Sequence, residues 1–391
     1  MNSPRIAVMC SGLGHIARGV ETWADSVATE LHRRDLNVTL FKGAGPAQRE
    51  FERVVPCLKR TTTLARTIVR LAPRWAWRLG CHQEYDVEQM AFAMAVLPHL
   101  IRKRYDLVHL QDPWLGYVLE KTRRLHGARV ILGHGTEEAP WLLRRFQHVH
   151  ELTPFYLDRH GDLGDRQWFA VPNFVDTNRF RPGDRRAARE ALGLPQDKFI
   201  VLSAAALNRS KKRLHWLIQE FAAANREDAL LVLAGARETE TADLSLEARR
   251  LLGDRVVILE NVPHARMPLL YQAADVHVLC SLMEVMGISI VEAMASGLTN
   301  LVHTWGSVEW VVGGTGRVLD MEAPGVLALE LRNLDRETCI RQGQLARQRA
   351  IDMFSVEAVV EQMLGMYDAV LSGRRVRPRV EPAAVSAGAA V

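Results

Sequence analysis

The sequence predicts an α/β protein of two doubly wound, Rossmann-like parallel-sheet domains. The chain has 391 residues, too many for one comfortable core and enough for two domains of ordinary size. Short apolar runs alternate with amphipathic stretches through the first half, and the alternation begins again at Phe199. Between the two series, from Pro172-Asn173-Phe174-Val175-Asp176 to Pro195, lies a charged segment rich in Arg, Gly and Pro, the composition of a linker followed by a short helix.

The first series reads as a strand over 6–10, a helix over 19–34 and a strand over 38–41, with a Gly-rich first turn. Further strands are expected at 107–110, 130–132 and 168–171. The second series gives strands over 199–204, 230–234, 256–259 and 276–279, with a helix over 213–225. The expected division is 1–174 for the first domain, 175–354 for the second, a returning amphipathic helix over 355–372, and a disordered tail over 373–391, rich in Arg, Ala, Gly and Pro.

Composition narrows the function. No apolar run reaches the roughly 18 to 20 residues that cross a bilayer, and the run over 6–10 is too short for a signal-peptide core, so a cytoplasmic protein is expected. The five cysteines, Cys10, Cys57, Cys81, Cys280 and Cys339, lack metal or disulfide spacing and read as buried thiols. No His-Glu-x-x-His, Cys/His cluster or Asp-x-Asp pair occurs, so neither a metal nor another cofactor is expected. The formal charge is +5, with six basic residues and no acidic one from Lys59 to Gly80. No helix-turn-helix, zinc finger or stacking-sheet signature accompanies that stretch, which argues against nucleic acid.

The most informative phrase is Glu284-Val285-Met286-Gly287-Ile288-Ser289-Ile290-Val291-Glu292, running into Ala293-Met294-Ala295-Ser296-Gly297. Preceded by the apolar run over 276–279, it reads as strand, tight loop and first helical turn. Free amides and the positive dipole end at such a junction hold phosphate, leaving carboxylates for hydroxyls. Ser289 and Glu292 also have capping-box spacing, which offers Glu292 a purely structural role. Glu284 caps nothing obvious.

This phrase resembles the Glu-x7-Glu motif of retaining glycosyltransferases of the GT-B fold, the large group that includes sucrose synthases and lipid-linked mannosyltransferases. Three other stretches carry the resemblance: Leu259 to Pro263, Met267 to Val276 with its Tyr-x-x-Ala-Asp ending, and Ser307-Val308-Glu309 followed by Gly313, Gly314 and Gly316. It extends from about residue 5 to residue 372. The resemblance implies two domains facing a cleft, with a nucleotide-sugar donor bound chiefly to the second.

It further implies site residues. Counting back from Leu217-Ile218 aligns Lys212 with the family lysine that contacts the diphosphate, and puts Leu207 where an arginine is expected. Arg209, two positions on, is the substitute candidate. Gly287, Ile288 and Ser289 would present amides to the diphosphate, Glu292 would hold ribose hydroxyls, and Glu284 would orient the donor sugar. His134, in Gly133-His134-Gly135, resembles the family histidine that contacts the transferred sugar, and its glycines suggest an exposed imidazole. His109 and Asp112 favour core or capping roles.

Gly12-Leu13-Gly14-His15-Ile16-Ala17 formally matches the dinucleotide fingerprint, so an NAD(P)-dependent oxidoreductase is the alternative. The second strand ends at Phe41-Lys42-Gly43, however, without the acidic ribose anchor. In the resembling family, Arg18-Gly19-Val20-Glu21 corresponds to the Gly-Gly-x-Glu opening the first helix, and Gly14 and Gly19 allow the preceding loop to approach donor phosphates. A non-catalytic nucleotide-sugar-binding relative is a third possibility, because of Leu207.

The expected activity is metal-independent transfer of a sugar from a UDP- or GDP-sugar to a glycan or lipid-linked acceptor in polysaccharide or glycolipid biosynthesis. Arg66, Arg70, Arg74 and Arg78, interleaved with Leu64, Ile68, Leu71, Trp75 and Trp77, suggest that 59–79 lies against anionic lipid on the inner face of the cell membrane. Pro73 divides that stretch into two short helices.

Overall fold

The computed structural model describes residues 3–374 except 17, 74, 75, 77–79, 136, 137, 139 and 160–164. The expected tail from 375 onward lies outside the described residues. The chain divides into two compact units, one reaching Val171 and including the chain from Val360, the other Pro172–Val359.

The first unit holds a parallel sheet of β1 (Ile6–Cys10), β2 (Val38–Lys42), β3 (Glu52–Val54), β4 (Leu107–Leu110), β5 (Arg129–His134), β6 (His148–Glu151) and β7 (Gln167–Ala170), ordered β3-β2-β1-β4-β5-β6-β7. Every residue of β1 is buried, as its unbroken apolar run requires of a strand covered on both faces. Helix Gly19–Arg33 buries Trp23, Ala24, Val27, Ala28 and Leu31, a stripe at helical spacing. Strand order reverses between β1 and β4, which opens a crevice at their carboxyl ends.

Strands β3 and β6 are not legible as apolar runs. In β6 the sequence is His148-Val149-His150-Glu151, yet all four residues are buried. The side chains of His150 and Glu151 are satisfied in place. His150 Nε2 donates to the Val171 carbonyl at 2.5 Å, so its Nδ1 accepts from His109 Nε2 at 3.0 Å, and His109 Nδ1 accepts from Tyr367 Oη at 2.7 Å. The terminal carbonyl thus fixes the tautomer of both neutral rings, and Tyr367 ties helix Val356–Ser372 to this sheet.

The second unit holds a parallel sheet of β8 (Phe199–Ala204), β9 (Ala229–Gly235), β10 (Val256–Glu260), β11 (Val276–Leu279), β12 (Thr299–His303) and β13 (Arg317–Leu319), ordered β10-β9-β8-β11-β12-β13. Its reversal lies between β8 and β11. Helix Leu214–Ala224 buries Leu214, Leu217, Ile218 and Phe221 against this sheet's core. On β11, His277 Nδ1 donates to Asn300 Oδ1 at 2.7 Å across to β12. Of the cysteines, Cys10, Cys280 and Cys339 are buried and Cys57 and Cys81 half-buried, a partial correction to the expected burial of all five.

Burial, opposed for His277 by its bond to Asn300, pushes the His277 imidazole down to about 4, and burial with nearby Arg129 and Arg123 does the same to His148. The unfolded chain therefore binds more protons than the folded one between about pH 6.5 and 4, so these groups contribute full stability above that window and lose it as pH falls through it. The unfolding free energy from urea titration, and with it the midpoint, is expected to fall from pH 7 to pH 4.5 by about 2 kcal/mol per histidine. A midpoint constant over that range would show that the rings are not held neutral.

Candidate functional site

At the reversal point of the second sheet, two loops bring a cation and a carboxylate together. After β8, Asn208 Oδ1 accepts the amides of Lys211 at 3.1 Å and Lys212 at 2.7 Å, a local turn that fixes the start of helix Leu214–Ala224. Arg213 follows in the left-handed region with φ 50°. Lys212 Nζ forms an ion pair with Glu284 Oε1 from the loop after β11. Both side chains keep part of their surface in solvent.

Gly287 then turns the chain into helix Ile288–Ala295. Its φ is +75°, a left-handed conformation that favours glycine, and a Cβ there would have to push aside the Ile290 Cδ1 methyl at 2.8 Å. The first helical bond is Ile290 N–H to the Gly287 carbonyl at 2.9 Å, and the helix has no side-chain cap. The amides of Gly287, Ile288 and Ser289 precede that bond, at the positive end of the helix dipole.

The capping-box alternative for Glu292 is corrected by this geometry. Ser289 lies inside the helix, and the Glu292 carboxylate turns away from the helix start. Its Oε2 accepts from buried Tyr271 Oη at 2.8 Å, and its Oε1 accepts from His264 Nε2 at 2.8 Å. Arg179 donates to His264 Nδ1 at 3.2 Å and to the His264 carbonyl at 2.6 Å, which leaves Nε2 as the protonated nitrogen. Glu292 is buried, whereas His264 is half exposed and displaceable.

Arg209 is not brought to this corner. Its guanidinium pairs with Glu247 on helix Thr241–Leu252, and its amide donates to Glu240 at 3.0 Å. Leu207 is wholly buried in the core, so the position expected to carry an arginine points inward.

The first-unit candidates behave differently from expectation. His134 is buried, not exposed: Nδ1 donates to Glu151 Oε2 at 2.7 Å, while Nε2 accepts the Glu138 amide at 3.2 Å. The reason is β6, which places Glu151 beside the end of β5. Gly14 has φ +100°, and a Cβ there would meet the Ala44 carbonyl at 2.0 Å, so its close approach is to the chain's own backbone. Gly19 has open space around it. Lys42 is buried in an ion pair with Glu52 at 2.7 Å, which leaves no acidic ribose anchor at the end of β2.

A polar cluster that the sequence did not reveal sits at the reversal point of the first sheet. Arg60 donates to Glu88 from its Nε at 2.9 Å and its Nη2 at 2.7 Å, and His15 Nε2 reaches the same carboxylate at 2.8 Å. Asp112 accepts from the Ser11 amide and Tyr85 Oη, both at 2.6 Å. Arg60 was grouped by sequence with the basic face over 59–79, but it faces inward. Helix Thr63–Leu71 does expose Leu64 and Leu71, whereas Arg74, Trp75, Trp77 and Arg78 lie outside the described residues.

With this geometry in view, comparison with known proteins is informative. The family description "Glycosyl transferases group 1" matches residues 184–331, the stretch that carries Lys212, Glu284 and Glu292. D-inositol 3-phosphate glycosyltransferase of Corynebacterium efficiens is 26% identical over 390 residues, covering 89% of this chain and 90% of that protein. Residues 184–331 of the chain belong to the group 1 glycosyl transferases.

D-inositol 3-phosphate glycosyltransferase 1 of Catenulispora acidiphila is 31% identical over 223 residues, and the chain spans about half the length of that relative, 52%. Among solved structures, sucrose-phosphate synthase from Thermosynechococcus elongatus superposes with a TM-score of 0.77 at 20% identity, covering 95% of this chain and 100% of that one. Anabaena HepE, solved with UDP and glucose, gives 0.72 at 18% identity, covering 94% and 100%. These neighbours share the GT-B fold with this chain. Among the described residues of the chain, no helix is long and apolar enough to cross a membrane.

Proposed function

We propose that this group 1 glycosyltransferase moves a sugar from a nucleotide-sugar donor to a glycan, cyclitol or lipid-linked acceptor, with retention of configuration. The observation that carries the reading is the Lys212–Glu284 pair at the reversal point of the second sheet, beside the helix start at Gly287. Ligands of open α/β sheets bind at that point.

The chemistry follows from charge. When the donor's glycosidic bond breaks, the diphosphate gains negative charge while the sugar carbon becomes oxocarbenium-like. An arriving diphosphate competes with Glu284 for Lys212, and a charge-assisted contact of about 1.5–3 kcal/mol exceeds what a partly solvated ion pair supplies. Lys212 and the amides of Gly287, Ile288 and Ser289 then stabilise the leaving group. Glu284, released, accepts from sugar hydroxyls. Glu292, held by Tyr271, takes ribose hydroxyls in place of His264.

A thermal-shift screen against UDP-, GDP- and ADP-sugars tests this reading. One class is expected to raise the melting temperature, and Glu292→Ala to abolish most of that rise. The names of the relatives make UDP-sugars and D-inositol 3-phosphate the first donor and acceptor to try. No shift with any nucleotide sugar, or an unchanged shift in Glu292→Ala, would remove the donor corner from the proposal.

A further inference from the structure

The amino-terminal end of the second sheet, at the starts of β8 and β11, carries an excess of positive charge with no evident structural need for all of it. A surface cleft of about 370 Å³ is lined by Arg185, Arg186, Arg189, Gln196 and Arg336. Beneath it lies Asp275, 1% exposed, the residue just before β11. Three of the four guanidiniums converge on this one carboxylate: Arg189 at 2.8 Å, Arg185 at 3.1 Å and Arg336 at 3.2 Å.

Only one of these arginines is consumed by the fold. Arg189, 2% exposed, also donates to the carbonyls of Ala273 at 2.9 Å, Gln196 at 2.9 Å and Lys198 at 3.0 Å. Arg336 shares Asp275 and spends one terminal nitrogen on the Asp197 and Lys198 carbonyls. Arg185 leaves its buried Nε without a partner. Arg186 is exposed and has no side-chain partner among the described residues. The carboxylates next in sequence do not compensate, because Asp184 accepts helix amides at Arg186 and Ala187, and Asp335 accepts at Thr338.

Four cations over one buried anion, in a cleft open to solvent, leave a charge deficit that a multiply charged oxyanion fills. Guanidinium forks match phosphate oxygens in pairs, so the donors left over at Arg185, Arg186 and Arg336 suit a phosphate or diphosphate group. Burial lowers the Arg189 pKa, and the nearby Arg185 and Arg336 charges lower it further, so an added anion relieves a repulsion that one carboxylate cannot. We propose that this cleft is a second oxyanion site, taking a soluble phosphate- or diphosphate-bearing small molecule and separate from the donor corner. The six-residue strand β8 divides the two, because Lys198 precedes it and Lys212 follows it, roughly 20 Å away.

Calorimetric titration of inorganic pyrophosphate into the full chain carrying Lys212→Ala, which weakens the donor corner, tests the site. Binding is expected to persist there, and to weaken at least tenfold when Arg186→Ala and Arg336→Ala are added. Should the loss of Arg336 unfold the unit, Arg186→Glu alone, at an exposed position, is expected to give the same direction of change with an unaltered melting curve. Affinity unchanged within twofold, or absence of pyrophosphate binding in Lys212→Ala, overturns the proposal. Co-sedimentation with phosphatidylglycerol vesicles that depends on these arginines, without pyrophosphate binding, also overturns it by assigning the charge to lipid headgroups.

Discussion

Glu284→Ala is expected to lower sugar transfer by roughly 10²-fold or more, about 2.7 kcal/mol of barrier, with little loss of stability. The two effects separate because the Lys212–Glu284 pair is partly solvated. Such a pair contributes about 0–1 kcal/mol to folding, so its removal leaves the second unit intact. The Glu284 contact with the sugar, by contrast, matters as charge develops at the reacting carbon. Single-turnover transfer measured beside a melting curve separates the two. Near-normal transfer by a folded variant would exclude Glu284 from the site, and a collapse of the melting temperature would make its role structural.

Asp275→Asn is expected to have the largest effect on stability. The change keeps the side-chain shape and removes the charge that faces Arg185, Arg189 and Arg336. Asp275 Oδ2 also accepts the Ile200 amide at 2.7 Å, while the Asp275 amide donates to the Ile200 carbonyl at 2.9 Å, so the residue joins the starts of β8 and β11. Breaking a buried pair by removing one partner costs about 3–5 kcal/mol, a large part of the roughly 5–15 kcal/mol that holds an ordinary domain together. The urea midpoint of the second unit should fall accordingly. A loss below about 1 kcal/mol would mean that the arginines find water or other acceptors without cost. Because this lesion lies at the amino ends of β8 and β11, opposite the carboxyl ends that carry Lys212 and Glu284, nucleotide-sugar binding by whatever fraction stays folded should change little.

Which elements were legible depended on whether their burial was apolar. Strands β1, β4, β8 and β11 are apolar runs buried on both faces and emerge within a residue or so of their observed limits. Strands β3, β6, β12 and β13 carry Glu52, His148, His150, Asn300 and Arg317, and a search for apolar runs passes over them. Three of these polar groups are buried with distant partners that satisfy them: Lys42 for Glu52, His109 for His150, His277 for Asn300. Arg60 was misread for the same reason. In sequence it stands among bases with no acid nearby, and its partner Glu88 lies 28 positions away on the buried face of helix Glu84–Lys103.

Sequence alone determined the α/β alternation, its restart after the linker, and the motif that places Glu284, Gly287 and Glu292 around a helix start. These are local properties, fixed by periodicity and by the conformational freedom of one glycine. The tertiary structure decided which charges are committed. It paired Lys212 with Glu284 and Arg209 with Glu247, gave Glu292 to Tyr271 and His264 in place of the helix cap, and buried His134 against Glu151. A charged side chain in a fold takes its character from its nearest opposite charge and its depth, and both depend on residues far away in the chain.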